Sequence, residues 1–172
     1  MWQSISPSSY IGWGKSTQLG YGLGLAMGAK MAAPEKQIIN VMGDAAFGMS
    51  GLDIETASRS EIPILTVVLN NGVMTHYYDH FPYATEHWGT NKLGGEYANV
   101  AQGLGAYGER VSSPDDIAPA IQRALAADEH VRGGIRAYPG LRILRQEPWE
   151  AYSRMAYCSS TMVDRSYRDC RF

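Results

Sequence analysis

Ile38-Ile39-Asn40-Val41-Met42-Gly43-Asp44-Ala45-Ala46, followed after a helical pattern by Ile64-Leu65-Thr66-Val67-Val68-Leu69-Asn70-Asn71-Gly72, decides how this chain folds. Each apolar run is short and β-rich, as a strand buried on both faces of a sheet should be. Each ends in polar residues at its C-terminal end. In an open parallel sheet those ends lie side by side, at the edge where ligands bind. Asp44 and Asn71, far apart in sequence, are therefore expected to meet in space. A carboxylate and an amide oxygen are hard ligands, suited to Mg²⁺ or Ca²⁺. The small residues Ala45, Ala46 and Gly72 leave backbone N–H groups open to an anion. The residues point to a divalent cation bridging the protein to a phosphate-bearing ligand. The plainer alternative is an α/β sheet whose strand ends happen to carry Asp and Asn.

Composition narrows the function classes. The 172 residues are enough for one domain with a real core. Hydrophobic residues make up 45% and charged residues 19%, which is globular rather than disordered. A net charge of −2 gives no electrostatic case for nucleic acid. The only cysteines, Cys158 and Cys170, form no disulfide framework or zinc spacing, so a reducing cytoplasm is the default. No apolar run approaches the roughly 20 residues that span a bilayer, and no signal-peptide pattern opens the chain. No internal repeat is visible.

Residues 1–16 read as loop. Gly14-Lys15-Ser16 invites comparison with a phosphate-binding P-loop, but that motif needs glycine where Ser9 stands, and a strong strand before it. A helix is expected over Thr17–Ala33, capped by Ser16 or Thr17 and stopped by Pro34. Gly20, Gly24 and Gly28 fall on one of its faces. Each glycine costs about 1 kcal/mol against alanine, so close approach of backbone or ligand to that face is expected in compensation. Strands follow over Gln37–Met42, from Pro63 to Leu69, and over Ala106–Val111. Helices are expected over Phe47–Ser60, Tyr97–Leu104 and Pro114–Ala127, the last with Ser113 as cap and Asp115 and Asp116 in its first turn. Asp79–Gly95 reads as an aromatic loop.

Gly43-Asp44, a gap of 24 residues from Ala46 to Leu69, then Asn70-Asn71, resembles the thiamine diphosphate motif of the acetolactate synthase and pyruvate decarboxylase superfamily. The usual third motif residue is glycine; Ala45 departs from it but still offers its N–H, provided its φ is negative. Gln18-Leu19-Gly20-Tyr21-Gly22-Leu23-Gly24 resembles the family segment that precedes the Gly-Asp strand. The resemblance implies an α/β fold with a mostly parallel sheet and helices on both faces. It implies Mg²⁺ held by Asp44, the Asn71 side chain and the Val73 carbonyl. Thr17, Leu19, Gly43, Ala45, Ala46, Met74 and Thr75 would line the thiamine diphosphate. Leu19 matches the apolar residue that sits under the bent cofactor; an ordinary core leucine is the alternative. Glu55 resembles a structural acid of this helix and is not expected to act as a base. His76, Tyr77 and Tyr78 would stand close enough to face substrate.

The likeness spans Tyr10 to Val131, which gives a cofactor-binding domain over residues 1–131 and a divergent tail over residues 132–172. Gly133-Gly134-Ile135-Arg136-Ala137-Tyr138-Pro139-Gly140 stands where the family places another apolar strand and is a poor one. The tail reads as a divergent arm or as the product of a shifted reading frame. The implied function is decarboxylation or carboligation of small 2-oxo acids, in the cytoplasm. The activating glutamate of the family lies in a separate pyrimidine-binding domain that no segment here resembles. The chain is thus expected to pair with such a domain or subunit, and to oligomerise. Three readings stay open: part of a longer synthase-like enzyme, one subunit of a split decarboxylase, or a non-catalytic module that kept the fold.

Overall fold

Residues 4, 6–12, 18–74, 76–132 and 140–145 are described by the computed structural model of the chain. Four strands form one sheet: β1 (Ile39–Gly43), β2 (Leu65–Asn70), β3 (Tyr107–Val111) and β4 (Gly140–Arg145). Their order is β1-β2-β4-β3, and every pair is parallel. The helices are α1 (Tyr21–Ala32), α2 (Asp44–Ser50), α3 (Asp53–Arg59), α4 (Tyr77–His80), α5 (Pro82–Trp88), α6 (Tyr97–Gly103) and α7 (Ile117–Arg132). None is long and apolar enough to cross a membrane.

The sheet is covered on both faces, because parallel strands alternate their side chains and need apolar cover on each side. On one face Met42 and Val68 pack with Leu23 and Ala26 of α1, Phe47 of α2, Ile54 of α3, and Ala98 and Ala101 of α6. On the other, Leu65 and Val67 pack with Ala124, Ile121 and Leu125 of α7. This is the α/β class that the two apolar runs imply.

Several boundaries differ from the sequence reading, each for a local reason. α1 starts at Tyr21, after Gly20 in the left-handed region at φ +89°. The expected cap residue Thr17 lies outside the described residues. The single helix expected over Phe47–Ser60 is two helices, and the first begins at Asp44, directly after the strand. They part at Gly51, where a Cβ would stand 2.7 Å from the Phe47 ring and its carbonyl. The Asp79–Gly95 stretch holds α4 and α5 rather than loop alone. Ser113 does cap the last helix, accepting the Asp115 N–H at 3.3 Å, but the first turn there is a 3₁₀ turn, Pro114–Asp116.

The sheet also contains a strand that the sequence reading did not assign. β4 begins at Gly140, just past the Gly-rich and Pro-containing run, and fills the centre of the sheet. Its register sets Thr66 beside Leu141 and Tyr107 beside Gly140.

The expected glycine face of α1 is corrected as well. Gly24 and Gly28 have nothing within 4 Å of where a Cβ would stand. The close approaches fall to Gly20, where a Cβ would stand 3.3 Å from the Ala46 carbonyl, and Gly22, where it would stand 3.0 Å from Asn40 Oδ1. Helix and strand touch at the start of α1, so only the first glycines are needed there. Ser50 Oγ closes this corner by donating to the Gly20 carbonyl at 2.7 Å. Lys30, buried at the other end of α1, donates from Nζ to the Lys36 carbonyl at 2.8 Å.

Opposite effects are expected from two kinds of glycine. Gly24→Ala and Gly28→Ala should each raise stability by about 1 kcal/mol, since helix propensity improves and nothing is displaced. Gly108→Ala should cost about 1–3 kcal/mol, because its Cβ would collide with the Ala98 backbone of α6. Urea unfolding midpoints of the three variants check both signs.

Candidate functional site

The C-terminal ends of β1 and β2 meet at one carboxylate. Gly43 is the last residue of β1 and the N-cap of α2, so Asp44 follows the strand with no connecting loop. Asp44 is only 2% exposed. Its Oδ2 accepts the Gly72 N–H at 2.9 Å, and its Oδ1 accepts the Ala45 N–H at 3.0 Å. The first bond spans 28 residues and ties the loop after β2 to the end of β1. Asp44 and the Asn71-Gly72 turn are thus brought together.

The loop after β2 is itself fixed. Asn71 Oδ1 accepts the Val73 N–H at 3.1 Å, an Asx turn. Gly72 sits at φ +70°, a conformation that side chains rarely adopt. Val73 bridges Lys92 in antiparallel fashion, with Leu93 N–H donating to the Gly72 carbonyl at 2.8 Å and Met74 N–H to the Asn91 carbonyl at 2.7 Å. Alternation along an extended backbone turns the Val73 carbonyl away from residues 91–93, to the side where its N–H meets Asn71. Asp44, the Asn71 amide and the Val73 carbonyl are all oxygen donors on one short stretch of the sheet edge.

Burial pushes the Asp44 carboxyl pKa up, and the N–H groups of Gly72 and Ala45 work against that rise. Taking a carboxylate out of water costs free energy that hydrogen bonds only partly return. A hard divalent cation is the partner that such a group suits, and the three oxygens are the donor type that Mg²⁺ takes. Ala45 and Ala46 lie in the first turn of α2, where N–H groups fall outside the helical hydrogen-bond ladder. Ala45 is helical, with negative φ, so the methyl in place of the usual glycine hydrogen is tolerated there. Gly43 has open space where a Cβ would stand. The residues present fit a cation and a diphosphate.

The remaining expected residues are placed unevenly. Leu19 is half-buried against the core, next to Gly20 and so near the first turn of α2. Met74 is half-buried on the loop after β2. Thr17 and Thr75 lie outside the described residues. Glu55 is paired with Arg59 at 2.8 Å on the exposed side of α3. His76 is exposed, in the left-handed region at φ +66°, with Nδ1 3.3 Å from Asp79 Oδ2.

Two features escaped the sequence reading. The strap of residues 91–93, which holds the Val73 loop, is set by tertiary pairing and carries no local signal. Tyr97 opens α6 with its ring edge-on to Phe47 at 5.5 Å. Burial, and then the nearby Asp44 carboxylate, push its phenol pKa up.

Comparison with known proteins identifies the family. The family described as thiamine pyrophosphate enzyme, C-terminal TPP binding domain, matches residues 1–132. The chain belongs to that family. It is 34% identical to the acetolactate synthase large subunit of Mycobacterium tuberculosis over 134 residues, covering 74% of this chain and 24% of that protein. It is 34% identical to the sulfoacetaldehyde acetyltransferase of Alcaligenes xylosoxydans over 108 residues, covering 62% of this chain and 18% of that one. The solved structure of the thiamine diphosphate-dependent 4-hydroxybenzoylformate decarboxylase of Rhodococcus jostii matches with a TM-score of 0.62 and 28% identity, over 77% of this chain and 24% of that one. The chain thus spans about a quarter or less of the length of these relatives.

Gly72 gives a direct check on the loop. Gly72→Ala should cost about 1–2 kcal/mol through its positive φ alone, since the nearest atom to the new Cβ, the Leu93 carbonyl oxygen, is 3.6 Å away. Gly72→Asn should cost less, because asparagine tolerates that region. Equal losses in chemical denaturation would point to crowding instead of backbone strain.

Proposed function

We propose that this domain holds thiamine diphosphate through Mg²⁺, and that it forms part of an enzyme that decarboxylates or joins 2-oxo acids. The observation that supports the reading is the buried Asp44 carboxylate, tied through the Gly72 N–H to the turn after β2 that carries Asn71 and Val73. Asp44, Asn71 and Val73 would hold the cation. The first-turn N–H of Ala46, with Gly43 leaving room beside it, would face the diphosphate. Leu19, at the same end of the sheet, would support the middle of the cofactor. When bound, the cofactor supplies an electron sink for breaking or forming a bond next to a 2-oxo carbon. The protein's part is to anchor it, exclude water and fix its orientation.

Stabilisation by ligand measures the site directly. Thiamine diphosphate with Mg²⁺ should raise the melting temperature, and chelation of Mg²⁺ should remove the effect. Asp44→Ala should abolish it, and Asn71→Ala should weaken it; each tenfold loss of affinity is about 1.4 kcal/mol. Protons compete with the cation for Asp44, whose pKa burial holds above its ordinary 3.8. Ligand-dependent stabilisation should therefore be full above the raised value and fade as pH drops through it. Equal stabilisation of wild type and Asp44→Ala would sink the assignment.

Turnover calls for a carboxylic acid beside the cofactor's pyrimidine ring, held at hydrogen-bond distance. Asp44 is occupied at the β1 end, and Glu55 is exposed and paired with Arg59. The acid would come from a pyrimidine-binding domain or subunit. The 172-residue chain with cofactor and Mg²⁺ should then leave pyruvate unchanged. A pyrimidine-binding partner should restore decarboxylation, and replacing that partner's glutamate by glutamine should remove it. Clear turnover by the chain alone, lost in Glu55→Gln, would place the acid within this domain.

A further inference from the structure

Two connections meet at the end of the sheet opposite Asp44. β1 and β2 are parallel, so the turn after α1 and the turn after α3 both enter the sheet at its N-terminal edge. At about 3.3 Å per residue, the strands put that edge about 17 Å from the ends that carry Asp44 and Asn71. Between the two turns lies a cavity of about 260 Å³, lined by Lys30, Met31, Pro34, Glu61, Ile62 and Pro63. At about 30 Å³ per water it has room for roughly nine waters, the size of a small metabolite.

Both charged residues of this cavity are held in costly positions. Lys30 is 4% exposed, and its Nζ donates to the Lys36 carbonyl at 2.8 Å. An ammonium has three donors, and burial leaves it in need of a counter-charge. Glu61 stands in the left-handed region at φ +53°. Its N–H donates to the Ser58 carbonyl at 3.2 Å, and the Ile62 N–H to the Ala57 carbonyl at 2.9 Å. These bonds close α3 by a turn in which glycine or asparagine is usual, so a glutamate there carries backbone strain. Among the described residues neither Lys30 nor Glu61 belongs to an ion pair, although both line the same cavity. The cavity thus offers one charge of each sign, and an apolar lining from Met31, Ile62 and the two prolines.

We propose that this cavity binds a small zwitterion with an aliphatic body, of the α-amino acid type. Its carboxylate pairs with Lys30 and its ammonium with Glu61. Its side chain lies against Met31, Pro34, Ile62 and Pro63. A ligand with only one of the two charges leaves one protein group unmatched. The site stands apart from the Asp44 edge and does not depend on what binds there.

Titration of the 172-residue chain with leucine, without cofactor, tests this by residue-resolved amide NMR. The amides of Met31, Glu61 and Ile62 should shift together and saturate, while those of Gly72 and Val73 stay in place. Leucine's two half-analogues, 4-methylpentanoate and 3-methylbutylamine, should bind at least about tenfold more weakly, since each lacks one charge. Glu61→Asn should lower leucine affinity about tenfold and leave the melting temperature unchanged or higher, because asparagine tolerates the left-handed region. Lys30→Met should abolish saturation; if loss of the bond to Lys36 unfolds the chain, Glu61→Asn alone decides. Absence of shifts at about 10 mM leucine, or equal affinity for all three ligands, would overturn the proposal. Equal leucine affinity in wild type and Glu61→Asn would overturn it as well.

Discussion

The contact between Asp44 Oδ2 and the Gly72 N–H is the constraint on which the site depends. It is made between two strand ends that share no sequence proximity, and it forms only when β1 and β2 pair in their observed register, Gly43 beside Leu69. A slip of one residue would turn Asp44 to the opposite face. The buried pairs on both faces of β2 forbid that slip, so the packing of Val67 and Val68 sets the position of a buried carboxylate in the neighbouring chain segment. The cost of burying that carboxylate is carried by the rest of the fold. This is the usual relation between a stable scaffold and a strained functional group.

The two apolar runs made the centre of the fold legible. Their β-branched content, their length and their polar ends point to adjacent parallel strands without any tertiary information. Asp44 and Asn71 followed, because strand ends in such a sheet have only one edge at which to gather. The break at Gly51 was not read from the sequence, since the crowding there comes from the Phe47 ring and carbonyl and leaves no mark in the pattern of Phe47–Ser60. β4 was missed for a different reason. Arginines at 142 and 145 argue against a central strand by pattern, and the glycines and proline just ahead of it argue against any strand. Pairing with β2 and β3 outweighs both.

Within the site, residue types were readable and their partners were not. The sequence marks Gly72 as a small residue after Asn-Asn, but not as the donor that fixes Asp44. It offers Val73 by position, whereas the strap at residues 91–93 that holds Val73 in place arises from a pairing across a helical excursion through α4 and α5. Tyr97 enters the surroundings of Asp44 from α6, more than fifty residues away in the chain. Contacts of that kind leave no periodic trace.

The strand order has a consequence for the birth of the protein. β4 is the last described strand in the chain yet stands between β2 and β3. During synthesis β1 and β2 leave the ribosome as one pair, and β3 follows with no neighbour to join. Only when residues 140–145 emerge can the two parts become a single sheet. A ribosome that stalls before that point leaves open the edges of β2 and β3 that β4 would pair, both of them free to take wrong partners.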